Sequence, residues 1–223
     1  MSTPLRLDPK STAVVAIDMH RGHLDPAVAT LPLPAERCPA VIARARVLFT
    51  ALRAIEVPLV HVVTVYRDPA ETLANPFWNA ITSDPTKKRS GNKRHNIVGM
   101  PGTEVIPDLL EPSDHVVNTK KRYSAFYGTD LEFLLSRRLA VDTVILAGIN
   151  TTSCIFCSAF EATNRDLRVV VASDACDSMD GEEAHHFALG LMANITGWVM
   201  SNEEIFTALG LGQSPESAAR RAS

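Results

Sequence analysis

The chain of 223 residues is 46% hydrophobic and 21% charged, which suits one domain with a sizeable core and excludes collagen-like, mucin-like and mostly disordered classes. Lys plus Arg number 22 against 25 Asp plus Glu, a net charge of −3, so no broad basic field exists to hold nucleic acid or anionic lipid. Four cysteines are too few for a disulfide scaffold and the first twelve residues lack the apolar run of a secretory leader, so a reduced, cytoplasmic protein with no membrane partner is expected.

Ala13 to Ile17 is a short unbroken apolar run, the mark of a strand buried on both faces, and it ends on Asp18. After a Pro-rich stretch (Pro26, Pro32, Pro34, Pro39), apolar residues fall at helical spacing from Val41 to Ile55 with Arg44, Arg46 and Arg53 between them. Pro58 closes that helix, and Leu59 to Val65 reads as a second buried strand, giving a β-α-β opening. Residues 67–102 show no clean period and are rich in Pro, Asn, Asp and basic side chains, so they read as a long excursion outside the sheet. A weak strand over His115 to Asn118 leads into Thr119-Lys120-Lys121-Arg122, and a helix from Thr129 to Leu139 has Thr129 as its N-cap.

Thr143 to Ala147 is the clearest buried strand, followed by a helix from about Ser153 to Asn164. The uncharged run Thr143 to Phe160 approaches membrane-span length, but Gly148, Asn150, Thr151, Thr152 and Ser153 interrupt it, which favours strand, turn and helix. A strand at Leu167 to Ala172, a helix at Glu182 to Ala193 and a short strand at Trp198 to Met200 complete the alternation. The expected fold is a three-layer α/β/α domain with a mainly parallel sheet, its core spanning about residues 12–205 and a frayed tail at 214–223.

Ligands of open parallel sheets gather beyond the carboxyl ends of the strands. Asp18, Lys120 and Cys154 all stand there, Cys154 at the start of a helix whose unpaired amides and dipole favour a thiolate. A nearby ammonium strengthens that tendency and a carboxylate can take the thiol proton, so the trio suits nucleophilic attack on a carbonyl.

Three segments carry a resemblance: Val14-Val-Ala-Ile-Asp-Met19, Lys120-Lys-Arg-Tyr-Ser-Ala-Phe-Tyr-Gly-Thr129, and Leu146-Ala-Gly-Ile-Asn-Thr-Thr-Ser-Cys154. In that order they resemble the signatures of the isochorismatase-like cysteine hydrolases, which include nicotinamidases and N-carbamoylsarcosine amidase. Gly99-Met-Pro-Gly-Thr103 and Ser173-Asp-Ala175 match further positions. The resemblance implies a catalytic Asp18, Lys120 and Cys154, with Lys120 preferred over Lys121 because it stands two residues before Arg in the K-x-R-Y-S pattern. It also implies a cis peptide between Ile149 and Asn150 and an oxyanion hole from the backbone amides of Asn150 and Cys154. Hydrolysis of a small amide or carbamoyl compound through a thioester follows, with no cofactor and with assembly as a homodimer or homotetramer. The uncharged residues from Phe187 to Asn202 also ask for burial.

Where many relatives have D-x-Q-x-x-F, this chain reads Asp18-Met-His20-Arg-Gly-His23-Leu-Asp25, so substrate contacts differ. No Asp-x-His follows the second strand, which disfavours a zinc-type nicotinamidase. Asp18, His20, His23 and Asp25 raise the question of a metal, but pocket lining or a subunit contact is the preferred reading for the two His and Arg21. His20, His23, Trp78, Tyr123 and Phe126 are expected substrate contacts, with Phe77 a further candidate wall. His185-His186 is expected at the surface or an interface. Two rivals remain, a dithiol redox centre at Cys154-Ile-Phe-Cys157 and vinyl-ether cleavage as in true isochorismatases. The first leaves Asp18 and Lys120 unexplained, and the second needs no thiol.

Overall fold

Apolar runs that are buried on both faces set the centre of the molecule. A computed structural model describes residues 5–87 and 89–212. Strands β1 (Thr12–Ile17), β2 (Leu59–Thr64), β3 (His115–Lys120), β4 (Thr143–Ile149), β5 (Arg168–Asp177) and β6 (Trp198–Met200) form one sheet in the order β3-β2-β1-β4-β5-β6. Every pairing is parallel. Every residue of β1, β2 and β4 is buried, whereas β3, at the sheet edge, alternates poorly and exposes Val116. That edge position explains why it reads weakly in sequence.

The helices are α1 (Arg21–Leu24), α2 (Cys38–Arg53), α3 (Pro69–Leu73), α4 (Pro76–Thr82), α5 (Leu131–Phe133), α6 (Phe156–Thr163), α7 (Glu182–Ile195) and α8 (Asn202–Ala208). Leu48, Phe49 and Leu52 of α2 and Ile205 and Phe206 of α8 pack with Val14, Ala16, Ile145 and Val170 on one face of the sheet. Ala159 and Ala162 of α6 and Leu189 and Met192 of α7 pack with Val15, Ile17, Leu146 and Val171 on the other. The alternation of side chains along each strand thereby divides into two cores, giving the three layers expected. No helix among the described residues is long and apolar enough to cross a membrane.

Several boundaries differ from the sequence reading for identifiable reasons. Residues 67–102 do lie outside the sheet but contain α3 and α4, each with Pro at its start and an Asp68 or Asn75 side chain capping its first amides. The expected helix from Thr129 is shorter, α5 passing into a wide turn at Leu134–Arg138, although Thr129 Oγ1 does accept the Leu131 amide. Strand β5 runs on to Asp177 because its register with β4 shifts and resumes at Cys176 opposite Gly148. The expected tail at 214–223 lies outside the described residues.

Chain order reverses at the centre of this sheet. From β1 the chain builds outward through β2 and β3, then returns to place β4 on the other side of β1. The crevice beyond the carboxyl ends of β1 and β4 is the natural ligand site of such a topology.

Candidate active site

Asp18 leaves β1 with φ 54°, a left-handed turn that aims its carboxylate across β2. Its amide donates to the Val62 carbonyl at 2.8 Å, and its Oδ1 accepts the Thr64 amide at 2.8 Å. Lys120, the last residue of β3 and only 1% exposed, donates from Nζ to Asp18 Oδ2 and to Thr64 Oγ1, each at 2.6 Å. The same Nζ lies 3.4 Å from Cys154 Sγ. Three separate strand ends thus deliver a carboxylate, an ammonium and a thiol to one buried point.

Local structure around the thiol is equally determined. Gly148 has φ 129°, and a Cβ there would drive into the Ile17 carbonyl of β1, so only glycine fits. The Ile149–Asn150 peptide is cis. A wide helical turn at Thr151–Ile155 then opens the helix that α6 continues, with the Asn150 carbonyl accepting the amides of Ser153 (3.2 Å) and Ile155 (3.0 Å). Ser158 Oγ donates back to the Cys154 carbonyl at 2.6 Å. Thr151 Oγ1 and His185 Nδ1 are hydrogen-bonded at 2.9 Å, which ties this turn to α7. His185 is therefore buried under the nucleophile turn and not at the surface, while its neighbour His186 is exposed.

The electrostatics separate the proton from its acceptor. Burial pushes the Asp18 carboxyl up, but Lys120 and His20 together outweigh it and hold the group well below the usual carboxylate range. Burial works against the Lys120 ammonium, which the Asp18 carboxylate nonetheless keeps charged, its pKa raised. For Cys154, burial and the Asp18 charge outweigh the help of Lys120 and of the Asn150 backbone, so the thiol is pushed up to about 11. The resting site therefore holds a thiol beside an ionised carboxylate, against the tendency toward a thiolate that the helix start and Lys120 supply. A base adjacent to a protonated nucleophile acts by taking its proton during attack.

Behind Asp18 stands a cluster of three buried imidazoles. His20 and His23 stack with ring centres 4.5 Å apart, and His95 lies 5.0 Å from His23. His23 Nδ1 is bound to the Leu31 carbonyl at 2.6 Å, His95 Nδ1 to Thr30 Oγ1 at 2.8 Å, and His20 Nε2 to Asn96 Nδ2 at 2.8 Å. Burial and the neighbouring imidazoles lower His23 to about 3 and hold His95 well below its ordinary value. One nitrogen from each ring comes within 4.8 Å of the others, so among the described residues this trio is the set that offers itself to a metal. His20 Nε2 is already engaged with Asn96 Nδ2, however, and the His20 ring is stacked on His23 at 23° between planes. Asp25, in the set weighed from sequence, is instead paired with Arg21 at 2.8 Å.

The cavity above Cys154 is lined by His23, Thr64, Tyr66, Trp78, Arg89, His95, Arg122, Tyr123, Asn150 and Ser153, with Asp18 and Lys120. Its inner slot offers about 20 Å³ of open space and meets an outer cleft of about 320 Å³. Trp78 Nε1 donates to Tyr123 Oη at 3.0 Å, fixing the two rings edge to face.

The pattern of the isochorismatase domain matches residues 12–204. The chain belongs to the isochorismatase family. It is similar over 206 residues, at 32% identity, to the isochorismatase family protein YecD of Escherichia coli, covering 92% of this chain and 100% of that one. It is 27% identical over 217 residues to the ureidoacrylate amidohydrolase RutB of Methylobacterium radiotolerans, covering 93% and 83%. Its fold matches the crystal structure of a cysteine hydrolase from Pseudomonas syringae pv. phaseolicola with a TM-score of 0.78 over 95% and 99% of the two chains, at 23% identity.

In this isochorismatase-family member the structure brings Asp18, Lys120, Cys154, Asn150, His23, Trp78 and Tyr123 to one cavity, and Phe77 to the outer cleft. Two expected substrate contacts are not part of its lining. Phe126 is buried in the core with Ala125 and Leu131, its ring under the Arg165 guanidinium. His20, fully buried, supports Asp18 from behind at 3.6 Å. Arg21 does not line the mouth either, since it bridges Asp25 and Glu104. Sequence reasoning missed Thr64, Tyr66, Arg89, His95 and Asn96. Thr64 ends β2 and was findable by the strand-end rule, but Tyr66 stands just before the excursion and Arg89, His95 and Asn96 sit in it, with no period to point inward. Cys157 of the C-x-x-C pair is half-buried and its thiol is pushed up by burial and Glu161, the opposite of an activated dithiol.

Proposed function

We propose that the protein hydrolyses the C–N bond of a small amide or carbamoyl compound through a thioester on Cys154. The observation that carries this reading is one buried ammonium, Lys120 Nζ, in contact with both the Asp18 carboxylate and the Cys154 sulfur at the floor of a cavity. The amidohydrolase relative RutB supports the same chemistry. In this scheme Asp18 accepts the thiol proton as sulfur attacks the carbonyl carbon, and the oxyanion rests on the backbone amides of Asn150 and Cys154. Protonated Asp18 then gives its proton to the departing nitrogen, so ammonia or an amine leaves and the acyl group stays on sulfur. Asp18 next takes a proton from water, whose oxygen attacks the thioester; the acid leaves and the thiol is restored. Lys120 holds Asp18 in place and balances negative charge on sulfur. No step draws on a cofactor, and the setting proposed is the reduced cytoplasm.

The test is a screen of small amides, ureas and carbamoyl amino acids for ammonia release, with acid-quenched protein analysed for an acyl adduct on the Cys154 peptide. Release of ammonia with such an adduct is the expected result. Turnover of isochorismate, with no ammonia from any amide, would replace this reading by vinyl-ether cleavage.

A further inference from the structure

The charges of the cavity do not balance. Among the described residues Asp18 is the one lining carboxylate, and it is already paired with Lys120 at 2.6 Å. Two further cations, Arg89 and Arg122, line the same space. Both guanidiniums stand against one indole, 4.6 and 5.2 Å from the ring of Trp78, and neither has a carboxylate partner among the described residues. Among the described residues the Arg122 guanidinium donates to the Lys121 carbonyl, at 2.7 Å. Lys87 adds positive charge at the outer cleft, and Asp180 at its rim is engaged by Thr152 Oγ1. Two guanidiniums that line one cavity, stand against one indole and have no carboxylate partner among the described residues suit a planar oxyanion.

We infer that the substrate is an amide or carbamoyl compound bearing a carboxylate, which Arg89 and Arg122 receive while its carbonyl enters the slot at Cys154. This rests on the amidase reading for the reacting end and on the charge count for the other. The narrow inner slot admits a flat carbonyl group, and the remainder of the molecule extends toward the cations. Trp78, whose ring lies 4.6 Å from the Arg89 guanidinium and 5.2 Å from that of Arg122, acts as a positioning residue for both.

Two measurements separate this inference from the reading beneath it. The first is turnover of oxamate, malonamate, succinamate and glutaramate against their methyl esters. The acid that fits the span should be preferred by at least about tenfold in kcat/KM, and Arg89→Gln or Arg122→Gln should remove that preference by raising KM with little change in kcat. Arg89→Lys should restore it only in part, because the charge returns without the fork. The second is calorimetric binding of the same acids and esters to Cys154→Ala, which reads recognition without chemistry. Binding of an acid and not its ester, lost with the added Arg89→Gln change, supports the anion site even if wild type releases no ammonia. Equal binding of acids and esters, indifference of acid binding to both arginine substitutions, or no binding of any acid would overturn it. Arg89 and Arg122 are partly exposed and the Arg89 guanidinium has no hydrogen-bond partner among the described residues, so these variants should fold.

Discussion

Lys120→Met removes the cation that both other members of the trio lean on. Its Nζ is 3.4 Å from Cys154 Sγ, and at an effective dielectric of about 20 such a pair is worth about 4–5 kcal/mol, or about a thousandfold in thiolate population. Part of this returns, because burial is the largest influence on Asp18 and, without Lys120, it drives that carboxyl toward its neutral form, relieving the thiolate of a negative neighbour. A net fall of about ten- to a hundredfold in the rate of Cys154 alkylation by iodoacetamide at pH 7 is expected, with turnover lost because Asp18 no longer accepts a proton.

The stability of the same variant carries an independent sign. In the wild type, Asp18 is depressed and Lys120 raised, so the pair contributes fully between their unfolded values of about 3.9 and 10.4. That contribution is lost only as pH falls through the folded Asp18 value or rises through the folded Lys120 value. In Lys120→Met a raised Asp18 makes stability fall as pH climbs from about 5 to 8, which urea unfolding at the two pH values measures. Lys121→Met should move neither alkylation nor this slope, since Lys121 bonds the Val65 carbonyl and Glu71. Unchanged alkylation in a Lys120→Met protein whose circular dichroism is native would refute the assignment of Lys120 to the thiol.

Cys154→Ala should abolish turnover, whereas Cys157→Ser, half-buried on the helix side, should keep most of it; equal loss, with a reversible disulfide between the two, would favour the dithiol reading. Gly148→Ala should destabilise the fold by about 3 kcal/mol or more, because it combines a positive φ with a collision against the β1 backbone; urea unfolding of the variant within about 1 kcal/mol of wild type would show that β1 and β4 yield there. A dimer or tetramer is expected in sedimentation, since Phe187, Ile195 and Trp198 remain exposed at 68, 56 and 46% while Ala188, Leu189 and Met192 between them are already buried. A monomer at assay concentration would contradict it.

How much could be read from the chain alone follows from what each feature depends on. Strands β1, β2 and β4 are apolar throughout because both of their faces are covered, so their runs announce themselves in one dimension. Asp18, Lys120 and Cys154 were found because strand ends in a parallel sheet converge and because three ordered motifs mark them. The capping box of α8, Ser201 with Glu204, is equally local and marks a helix start in the sequence itself. Other features are sums over distant neighbours. The length of β5 depends on pairing with β4 beyond a register shift, the burial of His185 on the turn that packs over it, and the arrival of His95 and Arg89 beside Asp18 on the path of an aperiodic segment. The protonation of Cys154 belongs to the same class: local placement at a helix start and beside Lys120 argues for a thiolate. Burial contributed by several separate elements, together with the charge of Asp18, outweighs it, and burial is a property that a residue acquires only when the chain has closed around it.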